Sequence, residues 1–190
     1  MANNYTVVGI DQSLTGTGLA LLLNDKVILP PEAPRYHTTK IKPTVRGVHR
    51  LMYIEEVVNR WIPSDTDLVL MEGYAFAAHG QAFGLGECGG IIKRCVHLKD
   101  KRLIVVAPGT LKKYVTGSGA AKKNVMLLQA YKKFGVSFDE DDECDAYCLA
   151  RLGAEYLAVE AGATATKAFQ ETYKAVEKYN IKLNGGEIDE

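Results

Sequence analysis

The sequence predicts an α/β fold: a mixed sheet in which a three-strand antiparallel meander is followed by parallel strands, flanked by helices, with an extra C-terminal helix. Three observations predict it. Two short apolar runs, Tyr5 to Asp11 and Gly16 to Leu23, stand either side of a tight Gln12 to Thr15 connection. Two further apolar runs, Leu68 to Glu72 and Leu103 to Ala107, alternate with segments of helical periodicity, the pattern that places helices on the faces of a sheet. A chain of 190 residues with 47% hydrophobic composition can bury one sizeable core.

The elements follow in order. Tyr-Thr-Val-Val-Gly-Ile-Asp11 is β-branched and apolar, and Gly16 to Leu23 returns beside it. A third strand is expected around Tyr36 to Ile41, after a loop marked by Pro30, Pro31 and Pro34. From Thr44 to Ile62, Val48, Leu51, Met52, Val57, Val58 and Trp61 recur at helical spacing, and the helix ends before Pro63. Leu68 to Glu72 is a buried strand, His79 to His97 a glycine-rich helix and Leu103 to Ala107 another strand. Short helices are expected from near Pro108 and near Ala120, and a longer one from Asp142 to Ala161. Thr164 to Tyr179 forms a separate amphipathic helix, with Phe169, Tyr173, Val176 and Tyr179 near one stripe that packs on the domain. The division is a domain over 1–160 and a helical extension with a flexible tail over 161–190, Gly185 to Glu190 being disordered. No internal repeat is visible.

Composition excludes several classes. The longest apolar runs are far too short to span a bilayer, and Met-Ala-Asn-Asn-Tyr lacks the basic start and apolar core of a secretory signal. The chain reads as soluble and cytoplasmic, without a membrane partner. Cys88, Cys95, Cys144 and Cys148 form no paired CxxC pattern, so buried small side chains in a reducing compartment are expected rather than zinc ligands. The net charge is zero, yet its distribution is uneven. Between Lys93 and Lys123 nine Lys/Arg face the single acid Asp100, and Asp139 to Asp145 holds six acids, so a basic surface is expected beside an acidic cluster.

The acids carry the chemistry. Asp11 ends one apolar run and Glu72 another, which puts both at the rim of a sheet. In Asp142-Glu143-Cys144-Asp145-Ala146 the two aspartates are three apart and share a helix face. Capping explains Asp142 alone. Asp145 is different, because it falls close to the stripe of Ala146, Leu149, Ala150, Gly153 and Leu157, where a carboxylate is costly unless a cation or hydrogen bonds compensate it. Oxygen-only ligands suit magnesium, and two ions about 4 Å apart can serve an in-line phosphoryl displacement. The layout suggests a two-metal nuclease.

The ordered motifs resemble the RuvC-type Holliday junction resolvases of the RNase H-like superfamily. They are Val-Gly-Ile-Asp11 followed by Thr-Gly, Met-Glu72 closing a strand, Leu85-Gly86-Glu87-Cys88-Gly89-Gly90-Ile91, Val115-Thr116-Gly117-Ser118-Gly119-Ala120-Ala121-Lys122-Lys123, and Asp142-Glu143-Cys144-Asp145-Ala146. Together they cover residues 5 to 160. The resemblance implies an RNase H-like nuclease domain in which Asp11, Glu72, Asp142 and Asp145 bind Mg²⁺, two ions per site with Mn²⁺ as a substitute. It implies that Lys112 and Lys123 contact phosphates near the scissile bond, with Lys113 and Lys122 as neighbouring DNA-binding residues and Lys122 competing for the place of Lys123. Tyr74 and Phe76 are its candidates for stacking on a base. The partners implied are a four-way junction or other branched DNA and a second copy of the chain, in a bacterial cell or a phage-infected host. Gln12-Ser13 stands where Pro-Gly is common, in a slightly shorter loop, as in some phage-like variants.

The glycines Gly84, Gly86, Gly89 and Gly90 each disfavour a helix by about 1 kcal/mol relative to Ala. So many in one helix imply close backbone approach, to the sheet or to a second subunit, and in the resembling family this helix lies at a dimer interface. Two other readings compete. Gly9-Ile-Asp-Gln-Ser-Leu-Thr-Gly-Thr-Gly18 is also similar to the first phosphate loop of the actin, sugar-kinase and chaperone ATPases, but those need two such lobes and a longer chain. A non-catalytic RNase H-like nucleic-acid-binding module would lack some carboxylates, and all four are present.

Overall fold

The computed structural model describes residues 5–24, 35–74, 82–177 and 180–181. Strands β1 (Tyr5–Asp11), β2 (Thr17–Asn24) and β3 (Arg35–Ile41) form the antiparallel meander. Helix α1 (Gly47–Trp61) leads to β4 (Leu68–Glu72), which lies parallel to β1. Helix α2 (Ala82–Leu98) leads to β5 (Leu103–Val106), parallel to β4. Helices α3 (Pro108–Thr116), α4 (Lys123–Phe134), α5 (Asp141–Glu160) and α6 (Lys167–Glu177) follow, and Asn180–Ile181 adds a short β6 antiparallel to β5. The strand order is β3-β2-β1-β4-β5-β6. The expected mixed sheet flanked by helices is present, with one strand more than the sequence announced. A two-residue strand has no periodicity to read.

Residues alternate along each strand, so the sheet divides two cores. Val7, Ala20, Leu22, Leu68, Leu70 and Ile104 face α3, α4, α5 and α6 on one side. Val8, Ile10, Leu19, Val69 and Met71 face α1 and α2 on the other. Helix α5 is buried along most of its length, and its backbone lies on the sheet. A Cβ on Gly9 would stand 2.0 Å from the carbonyl oxygen of Ala146, and one on Gly18 would stand 2.0 Å from that of Asp142. Only glycine permits such contact. These two residues in adjacent strands therefore seat the first turns of α5 on the sheet.

Helix α6 packs on the domain through Phe169, Thr172 and Val176, all buried. Tyr156 of α5 meets Phe169 edge-on at 6.3 Å and takes the Arg102 guanidinium over its ring at 4.9 Å, while its hydroxyl hydrogen-bonds Glu177. Tyr173 keeps one side in solvent. Tyr179, the proline-marked loop over 25–34, the first turn expected for α2 and the tail beyond 181 lie outside the described residues. The four cysteines are free and buried. Among the described residues no helix is long and apolar enough to cross a membrane.

Candidate active site

Asp11 and Glu72 are the last residues of parallel neighbours whose register pairs Ile10 with Met71, so the two carboxyl groups leave the sheet at the same height and share a hydrogen bond. The side-chain amide of Gln12 donates to the backbone carbonyl of Glu72 at 2.9 Å and ties the two strand ends together. The close seat at Gly18 brings the first turn of α5 to the same rim. Asp142 and Asp145 thereby reach the electrostatic neighbourhood of Asp11, and both Asp142 and Asp145 interact with Glu72. Four acids from three segments thus act on one another electrostatically at this rim.

Their mutual repulsion is visible in their proton affinities. Burial, then repulsion from Glu72 and Asp145, raises the Asp11 carboxyl well above its ordinary range. Burial, then repulsion from Glu72 and Asp141, pushes Asp145 up to about 7. Glu72 is raised by burial, with the Asp11 hydrogen bond and the charges of Lys112 and Lys123 opposing. Acids held this way gain most from a divalent cation, and the oxygen-only donor set fits a hard one such as magnesium. A tighter grouping shares Asp142 with them and is, among the described residues, the only set of three or more acids whose oxygens come so close together. Carboxylate oxygens of Glu140, Asp141 and Asp142 lie within 4.8 Å of one another, but lysines already engage them: Lys42 and Lys40 hold Glu140, Lys40 holds Asp142, and Lys123 holds Asp141.

A raised carboxyl pKa has a defined sign. The native state holds the Asp145 proton up to about 7, whereas the unfolded chain releases it near 3.8. The ionised group therefore weakens the metal-free fold as pH rises between those values, and the penalty is complete above them. Asp145→Asn is expected to melt with the parent near pH 4 and progressively above it toward pH 8 in EDTA. Thermal unfolding of the two proteins across that range checks it, and a constant gap would contradict the assignment.

The basic stretch divides. Lys112 on α3 and Lys123 on α4 act on Glu72 and Asp145. Lys113 turns the other way, 4.0 Å from Glu171 on α6, and Lys122 is exposed at the start of α4. Arg94 pairs with Glu55 and Arg102 with Glu160, so part of the run that read as one basic surface is used in intrachain ion pairs. Tyr74 follows Glu72 closely and is 36% exposed, with the Lys93 ammonium 5.1 Å from its ring centroid. Phe76 lies outside the described residues.

Two residues escaped sequence reasoning. Phe83, 92% exposed in the first turn of α2, stands next to Gly84, whose missing side chain admits Leu14 from the loop after Asp11. Its signal was an aromatic among glycines just after the Glu72 strand. Lys40 of β3 reaches Asp142 and Glu140, and no local pattern marks it. The glycines of α2 divide into two sets. Gly84 and Gly89 admit Leu14, Gln12 and Tyr74 of the same chain, whereas Gly86 and Gly90 face open space.

No protein-family model and no curated protein matches the sequence. Solved structures do. RuvC of Thermus thermophilus superposes with a TM-score of 0.66 at 20% identity, over 82% of this chain and 96% of that one. The same protein in complex with Holliday junction substrate gives 0.65 at 18%, over 83% and 96%. The Fowlpox virus resolvase in complex with substrate Holliday junction DNA gives 0.52 at 16%, over 80% and 98%. The chain has the RNase H-like fold of the RuvC-type resolvases, shared with a viral resolvase.

Proposed function

We propose that this chain is a magnesium-dependent, structure-selective endodeoxyribonuclease that resolves Holliday junctions or other branched DNA by paired symmetric nicks. What supports the reading is that Asp11, Glu72, Asp142 and Asp145 act on one another electrostatically at one rim of a sheet that superposes on that of RuvC. These four residues would hold the metal, two ions per site, with Mn²⁺ able to substitute. Bound there, the metal would supply the means to activate a water and to stabilise the leaving oxygen of a phosphodiester.

The chain's own residues do the rest. Gln12 fixes the spacing of the two strand-end carboxylates by holding the Glu72 carbonyl. Lys112 and Lys123 flank the acids, where they position the strand and offset the charge that develops on the phosphate. Lys122 extends the same cationic edge. Tyr74, Phe76 and the exposed Phe83 are the stacking candidates for unpaired bases. Lys113, paired with Glu171, contributes less to DNA than its neighbour. Residues 1–160 form the nuclease domain in this reading, and the remainder is a helical extension. A symmetric dimer supplies two sites for two symmetry-related nicks, with the open face at Gly86 and Gly90 of α2 available to a second copy.

The test is cleavage of a synthetic four-way junction beside linear duplex, RNA/DNA hybrid and flap substrates, with and without Mg²⁺. Paired symmetric nicks confined to the junction, lost in EDTA and weakened steeply by salt, are the expected result. Equal cutting of every substrate would reduce the reading to a general nuclease, and no cutting of any would end it.

A further inference from the structure

Strand register places Asp11, Gly18 and Lys40 side by side across β1, β2 and β3. Side chains at paired positions project from the same face, and the middle position has none. The first turn of α5 fills that gap, its Asp142 carbonyl against Gly18. Asp142 therefore sits in the space between an acid on one side and a lysine on the other. The Lys40 ammonium takes up the Oδ2 oxygen of Asp142 and reaches Oε2 of Glu140 at 2.9 Å. Its side chain is only 17% exposed and that of Asp142 19%, so the pair is sheltered from solvent screening.

The lysine reaches this place through a corridor that one residue keeps open. A Cβ on Gly16 would stand 2.5 Å from Lys40 Cε and 3.3 Å from Asp142 Oδ2. Lys42, one residue past the end of β3, stands 62% exposed and, among the described residues, pairs with Glu140 at 2.7 Å and not with Asp142. The two lysines thus differ in what they touch.

We propose that Lys40 is a positioning residue for the metal site: it holds one oxygen of Asp142 so that the other is presented toward Asp11, Glu72 and Asp145. This rests on the metal-binding reading above and adds a residue from the meander to it. Partners that orient a metal ligand from behind typically govern about 10- to 100-fold in metal affinity or activity. Lys40 differs from Lys112 and Lys123 in role, since it faces Asp142 from the β3 side and engages the acid rather than a phosphate.

Direct Mn²⁺ binding, read by the loss of the free-ion electron paramagnetic resonance signal, tests the role without any nuclease assay. Lys40→Met is expected to weaken Mn²⁺ binding by about 10- to 100-fold, Lys40→Arg to recover most of the loss, and Lys42→Met to stay within about twofold of the parent as expected for an exposed pair. Gly16→Ala removes no charge and presses chiefly on the flexible end of Lys40, with Asp142 Oδ2 at 3.3 Å the next contact, so it is expected to weaken Mn²⁺ binding in the same direction if Lys40→Met fails to fold. Thermal melts in EDTA separate a general loss of stability from a loss of metal. Mn²⁺ binding by Lys40→Met or Gly16→Ala equal to or tighter than that of the parent would overturn the role of Lys40 while leaving the site intact. A parent that binds no Mn²⁺ would remove both readings together.

Discussion

Asp145→Asn is expected to all but abolish Mg²⁺-dependent cleavage of a four-way junction, by roughly a hundred- to a thousandfold, the scale lost when one preorganised electrostatic group leaves a catalytic site. Junction binding in EDTA is expected to stay within a few-fold of the parent. The reason lies in the burial of the group. Asp145 is held beside Glu72 at a proton affinity raised to about 7, so its removal relieves repulsion in the metal-free fold while subtracting a ligand. Electrophoretic mobility shift and single-turnover cleavage on the same junction separate the two effects. Undiminished cutting would show that the acids meet for a reason other than catalysis.

Gly18→Ala is expected to damage fold and activity together. The new methyl would stand 2.0 Å from the carbonyl oxygen and 2.5 Å from the carbonyl carbon of Asp142, both backbone atoms that cannot rotate away. Overpacking of this kind typically destabilises by about 1–3 kcal/mol, which for a chain of this length lowers Tm by roughly 2–4 °C per kcal/mol. The first turn of α5 must lift, carrying Asp142 and Asp145 with it. A displacement near 1 Å at reacting groups can lower the rate by about a hundredfold. Calorimetry and single-turnover cleavage read both numbers, and a variant that melts and cuts like the parent would show that α5 is seated elsewhere.

Strands β1 and β4 were legible to the residue, since each is a short, continuously apolar run closed by an acid, the pattern of a strand buried on both faces that ends at the rim. Helix ends were less so. Thr44 was expected to open α1, but the helix begins at Gly47, whose φ of 58° breaks the periodicity before it. The helix expected from near Ala120 begins at Lys123, because Ser118 to Ala121 closes a turn first. The basic stretch likewise looked uniform. On α3, Lys112 and Lys113 are adjacent in sequence yet about 100° apart around the axis, so one meets the acids and the other meets α6.

The chain's own letters determined which segments become strands, that their ends are acidic, and that two aspartates share one helical face. Only tertiary structure decided that Gly9 and Gly18 would serve as the seat of α5, that Gln12 would clasp the carbonyl of Glu72, and that Lys40 would reach Asp142. The division has a physical cause. Burial and periodicity act over neighbouring residues and leave a pattern along the chain, whereas contact between backbone and backbone, or between an ammonium and a distant carboxylate, depends on register across strands that no local pattern encodes.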